Sequence, residues 1–190
     1  MRLKYVIGAA LLSLATGFAA PSANATPIAL DTFYTFGFGA VGSPLTSGTG
    51  FVLGTNPLDG DPSLLAPDAP WTITTVGTTI LRVLDGFLSV DQFDMFDGIT
   101  NLGNTSAPTP GSDCGSDITC AFNNLAFSRR DYALLAGAHS FTGTHIAGIA
   151  GAGFFEVEQV PEPASLALLG SALLGFGVIR RRRRNRRQAA

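Results

Sequence analysis

Four aspartates lie close together in the stretch LDGFLSVDQFDMFDG: Asp85, Asp91, Asp94 and Asp97. Carboxylate oxygens are the ligands that calcium prefers, but the spacing differs from the D-x-D-x-D-G order of an EF-hand loop. On a strand, Asp91 and Asp97 would share one face while Asp94 points to the other. The pattern favours solvated aspartates at strand edges and turns. A structural calcium site is the alternative, and no other cofactor or metal is expected.

Two histidines, His139 and His145, lie six positions apart in AHSFTGTHIAG, so a regular strand would place both on one face. Histidines can bind a metal or transfer protons in catalysis. The sequence offers no third ligand and no nucleophile to go with them. We therefore expect structural or surface histidines.

Cys114 and Cys120 are the only cysteines of the chain. The chain ends, described below, indicate export, and an oxidising compartment favours a disulfide. Closing so short a loop would contribute about 2 kcal/mol to stability. A redox or metal role is the alternative, but the spacing is not C-x-x-C and no histidine is near in sequence.

The motifs of common enzyme classes are missing from the sequence. Residues 37–42 match G-x-G-x-x-G literally, but Ser43-Pro44 and a glycine-rich loop follow where a nucleotide site needs a helix. There is no G-x-S-x-G, H-E-x-x-H or P-loop pattern. Paired carboxylates for glycoside hydrolysis stay open, because their pairing is spatial. We expect that the protein is not an enzyme.

Residues 26–159 read as a series of short strands separated by turn residues, which favours one all-β domain. Runs rich in β-branched and aromatic residues alternate with Gly, Pro, Asn and Asp. The strands are predicted at 32–40, 50–53, 71–76, 78–84, 92–96, 118–122, 125–128, 138–146 and 153–158. Close spacing of short strands is typical of an antiparallel β-sandwich or a jelly roll.

Charge is strongly segregated along the chain, although the formal net charge is only −2. All fourteen acidic residues lie between Asp31 and Glu162, where Arg82, Arg129 and Arg130 are the only basic residues. This middle part therefore has a formal charge of −11. Such a body would be repelled by phosphates, so we expect no nucleic-acid partner.

Residues 1–25 have the pattern of a secretory signal peptide. Arg2 and Lys4 supply its positive start, and an apolar stretch follows at 6–20. Ala23 and Ala25 form a small-x-small cleavage site for signal peptidase. The exported chain would then begin near residue 26. An uncleaved membrane anchor is the alternative, but the apolar stretch is short.

The C-terminal part has an uncharged apolar run at 164–179, followed by the arginine cluster Arg180, Arg181, Arg182, Arg183, Arg184, Arg186 and Arg187. As a helix the run would be about 24 Å long, slightly less than a bilayer core, and flanking residues and bilayer thinning can close the gap. Arginines are retained on the cytoplasmic side. We predict one transmembrane helix, with the body exported.

The segment Val160-Pro161-Glu162-Pro163, then ASLALLG, a short helix and an arginine cluster, closely resembles the PEP-CTERM sorting signal of Gram-negative bacteria. The resemblance covers residues 160–187. It implies an exosortase partner, an inner-membrane intermediate, removal of the tail near residues 160–163, and delivery to the cell surface or extracellular matrix. Proteins with this signal often accompany exopolysaccharide and biofilm formation. The same tail has also been labelled an ice-binding protein C-terminal region, which is no evidence of ice binding.

The leading hypothesis is thus an exported surface or matrix protein with a structural or adhesive role linked to exopolysaccharide or biofilm. Exopolysaccharide is then a candidate partner of the exported body. The alternative is a carbohydrate-binding or carbohydrate-cleaving domain, for which Trp71, Tyr34 and Tyr132 could form a stacking platform. A third hypothesis is a permanent inner-membrane protein whose tail is never cut.

Overall fold

The computed structural model describes residues 25–55, 60 and 62–160, which contain thirteen strands and one helix. The elements in chain order are β1 (Thr26–Pro27), β2 (Tyr34–Phe38), β3 (Leu45–Thr46), β4 (Leu64–Leu65), β5 (Trp71–Thr75), β6 (Thr79–Asp85), β7 (Phe87–Leu88), β8 (Gln92–Asp97), β9 (Thr100–Asn104), β10 (Asp113–Gly115), α1 (Ile118–Asn123), β11 (Arg129–Leu134), β12 (Gly137–Ala147) and β13 (Gly151–Gln159). The prediction of an all-β body is confirmed.

Two mainly antiparallel sheets form the body. One has the order β1-β5-β12-β8-β9, and the other has the order β11-β6-β13-β2-β3 with β4 beside β2. Among the strands of the described residues, only β1 with β5 and β2 with β4 pair in parallel. β7 and β10 form a separate two-stranded ribbon.

The two sheets share one aromatic core, as expected for a sandwich. Phe36 of one sheet packs against Trp71 and Phe93 of the other, with ring centroids 5.8 and 5.3 Å apart. Trp71 also stacks on Phe155 at 4.3 Å. Alternation along each strand turns every second side chain inward, so the period-two pattern of the sequence builds this core.

A second, smaller core covers the outer face of the six-stranded sheet. Leu84 and Phe154 turn outward from β6 and β13 and pack against Ile118 and Ala121 of α1. The strand predicted at 118–122 is therefore wrong. Asp117 caps this helix by accepting a hydrogen bond from the Cys120 amide at 2.9 Å, a local preference that outweighs the β-branched residues.

Two other predicted strands are also wrong. Residues 125–128 form the turn that precedes β11, and residues 50–53 lie outside any strand, whereas Leu45–Thr46 pair with β2. The strands predicted around β2, β5, β6, β8, β12 and β13 are present with ends shifted by a few residues. A strand, β3, follows the glycines at 37–42, where a nucleotide site would need a helix.

Candidate functional site

Three arginines line one cleft at the edge of the six-stranded sheet. We call this cavity of about 450 Å³ the arginine cleft; it is formed by Arg82, Phe122, Asn123, Arg129, Arg130 and Asp131, with Leu84 beneath. Ligand pockets in proteins commonly have volumes of 300–1,000 Å³, as a rough range. The cleft gathers every arginine of the acidic body into one place.

Strand pairing and one short helix position these side chains. In the β11–β6 register, Asp131 lies opposite Arg82 and Arg129 lies opposite Leu84. Phe122 comes from α1, whose position is held by the disulfide between Cys114 of β10 and Cys120. The predicted disulfide is thus present, and it supports a wall of the cleft.

Arg82 is the ion-paired arginine of the cleft, with three carboxylates around one guanidinium. Its guanidinium contacts Asp131 at 3.0 Å, Glu156 at 2.6 Å and Glu158 at 3.1 Å. Burial alone would lower the pKa of Arg82, but the hydrogen bond and charge of Asp131 and the charge of Glu156 raise it. Burial raises the pKa of Glu156 to about 7, and Arg82 opposes that shift only in part.

Arg129 and Arg130 are the unbalanced cations. Arg129 donates to the Phe122 carbonyl, and Arg130 donates to the Asn104 carbonyl at 2.8 Å while lying 4.9 Å over the Tyr132 ring. Within residues 25–55, 60 and 62–160, neither forms an ion pair with a carboxylate. A guanidinium can hold a carboxylate or a sulfate by two parallel hydrogen bonds.

Sequence reasoning missed this cleft as a site, although a signal was present. Arg82, Arg129 and Arg130 are the only cations between the two chain ends. The sequence positions of Arg82, Arg129 and Arg130 do not show that β6 and β11 are neighbouring strands. Only the antiparallel pairing of β6 with β11 brings these arginines together.

His145 and Asp91 form a buried pair that takes no part in lining the arginine cleft. The Nε2 atom of His145 lies 3.1 Å from Oδ1 of Asp91, and the side chains are 0% and 4% exposed. Nδ1 lies 2.9 Å from the Gly39 carbonyl, which can only accept, so Nδ1 carries a proton. With both ring nitrogens occupied and no access to solvent, this pair is suited to structure and not to substrate contact.

His139 also has both ring nitrogens occupied. Nδ1 lies 2.7 Å from Oδ2 of Asp97, and Nε2 lies 2.9 Å from the Leu135 carbonyl. The two histidines do share the inner side of β12, as predicted, because Phe141 between them is also buried there. They contact different partners and do not converge on one site.

The four aspartates do not converge on one site. Asp85 and Asp91 are neighbours, since Asp85 accepts from the Asp91 amide at 3.1 Å, and these two correct our prediction of solvated side chains. Asp85 and Asp91 are buried at 0% and 3% exposure. Burial, together with the charge of Asp91, raises the pKa of Asp85 to about 8, and burial also raises the pKa of Asp91. Asp94 accepts from the Asn101 amide, and Asp97 pairs with His139. Among the described residues, no three His, Cys, Asp or Glu side chains are arranged to hold a metal ion.

The proposed aromatic platform is wrong. Trp71, Tyr34 and Tyr132 are 0%, 7% and 5% exposed and belong to the main core. Tyr132 donates its hydroxyl to the Gly103 carbonyl at 2.7 Å, and burial raises its pKa to about 12. These rings are large apolar groups, and the core between two sheets offers them more contact than a surface would.

The processing signals lie mostly outside the described residues. Of the cleavage site only Ala25 is described, and of the sorting motif only Val160. Ala23, Pro161, Glu162, Pro163, the predicted helix at 164–179 and the arginine cluster at 180–187 all fall outside. The part of the chain that is described contains no helix long and apolar enough to cross a membrane.

A family model for the PEP-CTERM protein-sorting motif matches residues 159–184, so the chain carries this motif where the resemblance placed it. The motif indicates an exported protein that an exosortase sorts to the cell surface or the medium. No curated protein and no solved structure matches the chain.

Proposed function

We propose that this protein is a non-enzymatic surface or matrix component whose body binds acidic polysaccharide at the arginine cleft. The observation that carries the proposal is Arg129, which shares the cleft face of β11 with Asp131 and forms no ion pair with a carboxylate among the described residues. The side chain of Arg130 alternates to the other face of β11, where it donates to the Asn104 carbonyl at the rim of the cleft. A guanidinium without an ion pair, on a body that is otherwise acidic, selects for a ligand whose negative charges are local and geometrically matched.

Uronic acid or sulfated sugar chains have the required chemistry. Their carboxylates or sulfates fit the planar guanidinium fork, and the sugar hydroxyls can bond to the exposed amide of Asn123. Phosphate-rich nucleic acid is a poorer candidate because it carries dense charge along its whole length and would meet the acidic remainder of the body. Exosortase sorting would bring the cleft to where such chains are secreted.

The absence of catalysis is part of the proposal. Both histidines have their ring nitrogens occupied, and Asp131, Glu156 and Glu158 are held by Arg82. The arrangement supports holding a ligand, since no free acid and base pair faces the arginine cleft within the described residues.

The test is binding of a polygalacturonate oligomer, with a neutral dextran oligomer of equal length as the reference ligand. The double variant Arg129→Gln, Arg130→Gln should weaken polygalacturonate binding by about tenfold or more, equal to about 1.4 kcal/mol. Asp68→Asn changes the net charge by one on an exposed loop outside the cleft and should leave the affinity unchanged. Equal affinity for dextran and polygalacturonate, or an unaffected double variant, would overturn the proposal.

A further inference from the structure

Three aliphatic side chains stand almost fully in solvent on loops at one end of the sandwich. Ile99, Val76 and Leu135 are 103%, 88% and 81% exposed, the highest values of any large hydrophobic side chain in the described residues. Exposed aliphatic groups gathered on loop tips are uncommon on a soluble surface unless something covers them.

Sheet register places these loops together. Val76 follows Thr75, whose hydroxyl donates to the Leu135 carbonyl at 3.3 Å. The loop of Ile99 joins the same end, because the Gly98 amide donates to the carbonyl of Ser140, near the start of β12. Val41 and Ile149, both 56% exposed, lie beyond the opposite end of β12.

The chain leaves the body at this same end. The Val160 amide donates to the Thr78 carbonyl at 3.1 Å, and Thr78 belongs to the loop of Val76. The uncharged apolar run begins at Ala164, four residues later. Four extended residues span at most about 14 Å. If that run is in a bilayer, this end of the sandwich must lie close to the bilayer surface.

The loops themselves suit contact with lipid. No charged residue occurs at 72–81 or at 132–138, although the stretch from Asp31 to Glu162 has a formal charge of −11. Two acidic side chains near this end are paired, Asp97 with His139 at 2.7 Å and Glu158 with Arg82 at 3.1 Å. Asp31 is exposed and accepts a hydrogen bond from the Gln159 amide at 2.9 Å, beside the point where the chain leaves the body. Short apolar side chains on uncharged loops can enter the boundary between headgroups and acyl chains.

We propose that the loops of Val76, Ile99 and Leu135 form a membrane-resting surface that holds the body on the outer leaflet while its tail is still attached. This inference rests on the proposed sorting route, because only a tail in the bilayer keeps the body there. The contact would keep the segment after Val160 next to the membrane, where a membrane-embedded exosortase works.

The experiment uses the exported chain, residues 26–190, reconstituted in vesicles of phosphatidylcholine and phosphatidylglycerol with or without bromine on the acyl chains. Trp71 is the only natural tryptophan and is 0% exposed, so it gives a constant background. Single variants Val76→Trp, Ile99→Trp and Leu135→Trp report the proposed surface. Val41→Trp and Ile149→Trp report the opposite end, and Leu173→Trp reports the tail. All five body sites are exposed, so each substitution should leave the fold intact.

We expect bromine to quench the added emission at positions 76, 99, 135 and 173, and to leave positions 41 and 149 unchanged. Quenching at 173 without quenching at 76, 99 and 135 would overturn the membrane-resting surface and leave the sorting route standing. Equal quenching at both ends would overturn the orientation. No quenching at 173 would overturn both. Emission that changes with the number of protein chains per vesicle, and not with bromine, would overturn the proposal. It would show instead that these loops contact a second copy of the chain.

Discussion

The amide of Val160 donates to the carbonyl of Thr78 at 3.1 Å, so the residue that opens the sorting motif is itself bonded to the folded body. β13, which ends at Gln159, lies between β6 and β2 inside the six-stranded sheet. The sorting signal therefore begins without a linker, directly after a strand that is paired on both sides along part of its length.

This relationship predicts where the mature chain ends. A cut inside β13, before Glu158, would remove Glu158 and Gln159, which pair with β6, and would expose the buried Val157. Intact mass measurement on protein from the host's surface and medium should give a C-terminus at or after Val160 and before the apolar run. A C-terminus before Gln159 would contradict the prediction, and a chain ending at Ala190 in the membrane fraction would contradict sorting itself.

The buried pair of His145 and Asp91 predicts a local stability effect. Asp91→Ala leaves His145 and the Ile149 amide without their partner, so the free energy of unfolding should fall by about 2–3 kcal/mol. Asp94→Ala on the same strand removes only an exposed contact with Asn101 and should cost less than about 0.5 kcal/mol. Urea unfolding of both variants measures the difference, and equal losses would argue against the pair.

The buried carboxyl of Asp85 should make the free energy of unfolding fall as pH rises. Its pKa increases from 3.8 to about 8 on folding, so the folded chain keeps a proton that the unfolded chain releases. The stabilisation is complete below about pH 4 and is lost as pH rises through 8, by at most about 1.4 kcal/mol per pH unit. Glu156, with a pKa of about 7, acts in the same direction.

The measurement compares Asp85→Asn with the unaltered chain by urea unfolding between about pH 5 and 9. The variant cannot ionise, so its stability relative to the unaltered chain should increase with pH. Asp94→Asn, on a partly exposed side chain, provides the control and should follow the unaltered chain. Parallel pH profiles for Asp85→Asn and the unaltered chain would disprove the burial argument.

The disulfide predicts a coupling between α1 and the arginine cleft. Replacing both Cys114 and Cys120 with serine should lower the free energy of unfolding by about 2 kcal/mol, because the unfolded chain regains the freedom of the short loop. Phe122 should also become less ordered, so polygalacturonate affinity should fall. Adding reductant to the unaltered chain should reproduce both effects. Reductant that changes neither would show that α1 is held by its apolar contacts alone.

Several features were determined by the sequence alone because their causes are local. The proline and glutamate order at 160–163, the apolar run and the arginine cluster define a sorting signal without any fold. Runs rich in β-branched and aromatic residues, bounded by turn residues, predicted β8 and β12 well, since both signals act within a few residues. The disulfide was also predictable, because the chain is exported and its only two cysteines lie six positions apart.

Only the tertiary structure decided which charged side chains form ion pairs and which are buried. Arg82 and Asp131 are 49 positions apart, and they meet because β6 and β11 are neighbours. Asp85 and Asp91 lie in a pattern that resembles solvated turns, yet the packing of both sheets closes over them. The helix at 118–123 likewise replaced a predicted strand once Asp117 could cap it and Leu84 and Phe154 offered an apolar face. Sheet pairing and burial depend on contacts between distant residues, and local sequence patterns carry no record of those contacts.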